Sequence, residues 1–99
     1  MINKERLATL EAVVRDQEQV VEEIEKELHG IESHLAKLTL KLELLTGKGR
    51  ELPGIDGEVR SLEGETALFE MNSREAQRRL ALQAEILRLL RGTLVEWQR

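Results

Sequence analysis

Two stripes of apolar residues, each stepping alternately by three and four positions, run through most of this 99-residue chain and are parted by a single glycine-rich gap. The first stripe is Leu7, Leu10, Val14, Gln17, Val21, Ile24, Leu28, Ile31, Leu35, Leu38, Leu42 and Leu45. The second is Val59, Leu62, Thr66, Phe69, Ser73, Ala76, Leu80, Gln83, Leu87, Leu90, Leu94 and Trp97. A mean step of 3.5 residues keeps one seam turned toward a partner helix over many turns, a constraint that a helix lying alone on a protein surface does not have. The fold class expected is therefore all-α: an antiparallel two-helix coiled-coil hairpin occupying residues 1–99 as one domain.

The breaks in the pattern set the expected boundaries. Asn3 can accept a backbone hydrogen bond as the cap of helix one, with Glu5 in the positive first turn, and that helix is expected over about 4–46. Gly47, Gly49, Pro53, Gly54 and Gly57 crowd the following residues, so 47–57 reads as the apex, with Gly47 in the left-handed position past the helix end. Helix two is expected over about 58–97, capped by Asp56, with Gly64 and Gly92 tolerated on its outer side. Asn72 followed by Glu75 resembles a capping box that would divide helix two near Ser73, but the heptad phase is unchanged on both sides and favours continuity.

Folding the helices back with Leu45 opposite Val59 pairs residues whose numbers sum to 104, and each seam position then meets a seam partner. Charge supports this orientation independently. Residues 16–27 carry Asp16, Glu18, Glu22, Glu23, Glu25 and Glu27 against Lys26, and they face 77–88, which carries Arg78, Arg79 and Arg88 against Glu85. Exposed pairs of this kind contribute about 0.2–1 kcal/mol each, so they select an orientation more than they stabilise it. The seam has weak points: small Ser73 and Ala76 opposite Ile31 and Leu28, and the amides of Gln17 and Gln83. Small and polar seam residues tune spacing and register; the alternative is that the narrow middle admits a side chain from another molecule.

Apolar residues outside the seam carry the functional expectation. Val13, Val20, Leu82, Ile86 and Leu89 lie in the half near the termini, and Leu40, Leu44, Leu68 and Met71 toward the apex. Two helices cannot bury these stripes unaided, and leaving them in water forgoes roughly 1.5–3 kcal/mol per side chain. Val13, Val20, Leu82, Ile86 and Leu89 are thus the candidate interface, expected to join two copies as a homodimeric four-helix bundle or to receive another helical protein.

Composition excludes more than it assigns. The chain is 34% charged and 2% aromatic and has no cysteine, which removes disulfides, thiolate metal sites and cysteine nucleophiles. His29 and His34 are five apart, about 140° around a helix, and cannot clamp one metal, nor does either stand three residues after a glutamate. Gly47-Lys48-Gly49-Arg50 lacks the spacing of a phosphate-binding loop. Arg74, Arg78, Arg79, Arg88 and Arg91 make helix two locally basic, yet the net charge is −4 and no aromatic residues are interleaved for stacking, so nucleic acid is not the expected partner. No stretch is apolar over the roughly 20 residues of a membrane span, and neither helix suits a membrane interface. No cofactor, metal, catalytic residue or small-molecule substrate is expected, and the chain reads as a cytoplasmic protein.

In outline the hairpin resembles the helical arms of prefoldin, although its apex offers no pair of alternating strands for a β platform. It also resembles the small secreted hairpins with Trp-x-Gly at the turn, although its only tryptophan is Trp97. Three function classes follow: an oligomerising coiled-coil scaffold or adaptor, a client-binding assembly or secretion chaperone, and a piece of a longer arm like those of SMC proteins. The first is the leading expectation.

Overall fold

The computed structural model describes residues 3–99 and contains two helices, α1 (Lys4–Gly47) and α2 (Ile55–Gln98), packed against each other as a hairpin, with no strand among the described residues. Asn3 opens α1 as the sequence implies: its Oδ1 accepts from the Glu5 N–H at 2.7 Å and its carbonyl from the Leu7 N–H at 3.0 Å. The helix then meets no proline. Its exposed threonines Thr9, Thr39 and Thr46 turn their hydroxyls back onto the carbonyls of Glu5, Leu35 and Leu42 and so leave no competing turn.

Helix α1 includes Gly47, which is therefore not the left-handed residue past its end. The chain stops one turn later: the Lys48 and Gly49 N–H groups both donate to the Leu44 carbonyl, and Arg50 Nε donates to the Thr46 carbonyl at 2.8 Å, satisfying groups that the end of a helix leaves open. Gly49 is needed here because a Cβ would sit 2.9 Å from the Leu45 carbonyl oxygen. The left-handed residue is Gly54, at φ 77°, immediately before α2. Helix α2 starts at Ile55, earlier than the expected 58, so Asp56 lies within its first turn beside Glu58, where carboxylates oppose the positive helix end. It continues unbroken through Asn72 and Ser73.

The earlier start of α2 shortens the connection to residues 48–54. The cross-helix contacts lie on both sides of the expected sum of 104: Lys41 with Glu58 and His34 with Glu65 at 99, Gln17 with Gln83 at 100, Arg6 with Trp97 and His34 with Phe69 at 103, and Glu18 with Arg91 at 109.

The molecule divides into two units. The terminal unit joins the segments up to Lys26 and from Gln77 onward. Its core is Leu10, Val14, Val21 and Leu87, against which Leu80, Leu90, Leu94 and Trp97 pack. Within it, Gln17 Nε2 donates to both the Gln83 carbonyl (2.9 Å) and the Gln83 Oε1 (2.8 Å), so the two seam amides satisfy one another. The apex unit, Glu27–Ala76, buries Leu38, Leu62, Ser73 and Ala76. Ala76 is fully covered. Thr66 Oγ1 is buried there without a hydrogen-bond partner.

Candidate interaction surface

Taking Leu7 and Val59 as position a of the heptads, and Leu10 and Leu62 as d, sorts the remaining residues by side. In an antiparallel pair the g positions of both helices line one side of the seam and the e positions the other. The structure shows both pairings: His34 Nε2 lies 3.5 Å from Glu65 Oε1 and Lys41 Nζ 4.0 Å from Glu58 Oε1, all g residues of the apex unit. Arg91 lies 3.6 Å from Glu18, both e residues of the terminal unit.

Every seam residue of both stripes is at least half-buried. The five candidate interface residues fall differently. Val13 and Val20 (g on α1) and Leu82 and Leu89 (c on α2) are exposed, the two leucines at 60% and 63%, whereas Ile86 (g on α2) is half-buried against the seam. Positions g and c adjoin on a helix surface, so Leu82, Ile86 and Leu89 form a second apolar stripe on α2, while Val13 and Val20 flank the seam on α1, and all five residues belong to the terminal unit. Beyond Val13 this side of the unit runs into a shallow groove of about 240 Å³ lined by Arg6, Thr9, Leu10, Val13 and Trp97. Arg6 lies over the Trp97 ring at 5.3 Å, its stem covering the indole and its charge set at the edge of the groove.

The opposite, e-side surface of the same unit is charged. Glu18, Glu22 and Glu25 from α1 and Arg88 and Arg91 from α2 rim an open groove of about 430 Å³ floored by Val21, Ala84 and Leu87. Glu85 accepts from Arg88 Nε at 2.9 Å, and this hydrogen bond, aided by the guanidinium charge, lowers the Glu85 carboxyl below its usual range and raises Arg88. Arg74 pairs with Glu70 on α2. Arg74, Arg88 and Arg91 therefore stand beside carboxylates, which weakens the field they would offer to phosphates.

The apex unit exposes Leu40, Leu44, Leu68 and Met71, together with Leu52 in the connection. It also holds a contact that periodicity does not reveal: His34 rests against Phe69 with ring centroids 4.3 Å apart while its Nε2 reaches Glu65. His29 is exposed. Among the described residues no group of three or more His, Cys, Asp or Glu could hold a metal, and no helix is long and apolar enough to cross a membrane.

The chain matches no protein-family model, no curated protein and no solved structure.

Proposed function

We propose that this protein is a non-catalytic coiled-coil interaction module, an oligomerising scaffold or adaptor, whose terminal unit self-associates into a homodimeric four-helix bundle. One observation supports this above the others: Val13, Val20, Leu82 and Leu89 are exposed on one side of a unit whose seam is already filled. Water contact at four aliphatic side chains costs more than the hairpin needs to bear, and a second pair of helices is the smallest structure that removes it. Replacing Leu82, Ile86 and Leu89 together by glutamate is expected to leave the helix content near that of the parent and to shift the sedimentation mass to one chain. An unchanged mass for this variant would remove the proposal.

A second reading, binding of an apolar client segment, draws on the exposed Leu40, Leu44, Leu52, Leu68 and Met71 of the apex unit. Leucine and methionine side chains adapt to varied apolar partners. Suppression of aggregation of a denatured test protein, abolished by Leu68→Glu with Met71→Glu, is the outcome this reading predicts.

A further inference from the structure

We draw no further inference here: the strongest candidate, the exposed apolar face of the terminal unit formed by Val13, Val20, Leu82 and Leu89, belongs to the surface already described, and nothing in the structure shows what covers it.

Discussion

Gln17 and Gln83 show how a single pair of side chains sets the alignment of two 44-residue helices. The amides meet in a seam otherwise built from aliphatic groups, and a slip of one heptad would leave each of them half-buried and unbonded, at a cost of about 1–3 kcal/mol per group. Gln17→Leu alone should therefore destabilise the hairpin by about 1 kcal/mol in urea unfolding, while Gln17→Leu with Gln83→Leu should be at least as stable as the parent and less uniquely aligned. Thr66 is the converse case: its buried hydroxyl has no partner, so Thr66→Val, nearly equal in shape, should raise stability by about 1 kcal/mol. An unchanged or lower urea midpoint would mean that the hydroxyl is satisfied in solution. Glu85 supplies a pH signature. Its carboxyl is lowered by the Arg88 hydrogen bond, so the stability it contributes is present at neutral pH and lost as pH falls through that lowered value. Arg88→Gln should return the Glu85 titration, followed by carboxyl NMR, to the ordinary glutamate range.

The elements themselves were largely legible in the sequence, because helix type, number and seam all come from one period. The cap at Asn3, the continuity of α2 through Ser73 and the burial of the seam follow from local rules that nothing in the tertiary structure opposes. The apex was less legible. Glycine and proline announce a break without saying which residue takes which conformation, and both Gly47 and Asp56, expected outside the helices, lie within them. The His34–Phe69–Glu65 cluster and the Arg6–Trp97 contact were not readable at all, since they depend on the rotamers of side chains from both helices, which periodicity does not specify. Three helical glycines, Gly30, Gly64 and Gly92, have nothing within 4 Å of a prospective Cβ. Replacing all three by alanine should add about 0.5–1 kcal/mol each and raise Tm by about 10 °C, because the helices gain propensity without a clash. A fall in Tm would show that one of these positions lies against something in the assembled protein.

For the molecule as a whole, the division of labour is between a seam that folds the chain and a side that the fold leaves uncovered. The filled seam explains why the two helices pair. It does not use Val13, Val20, Leu82 or Leu89, which stay exposed on the terminal unit. In the proposed self-association a second copy of the chain covers them. The most direct test is the mass of the unmodified protein at equilibrium in the ultracentrifuge at tens of micromolar. The account predicts twice the 11.3 kDa of one chain; a mass of one chain, unchanged as the concentration rises, would contradict it.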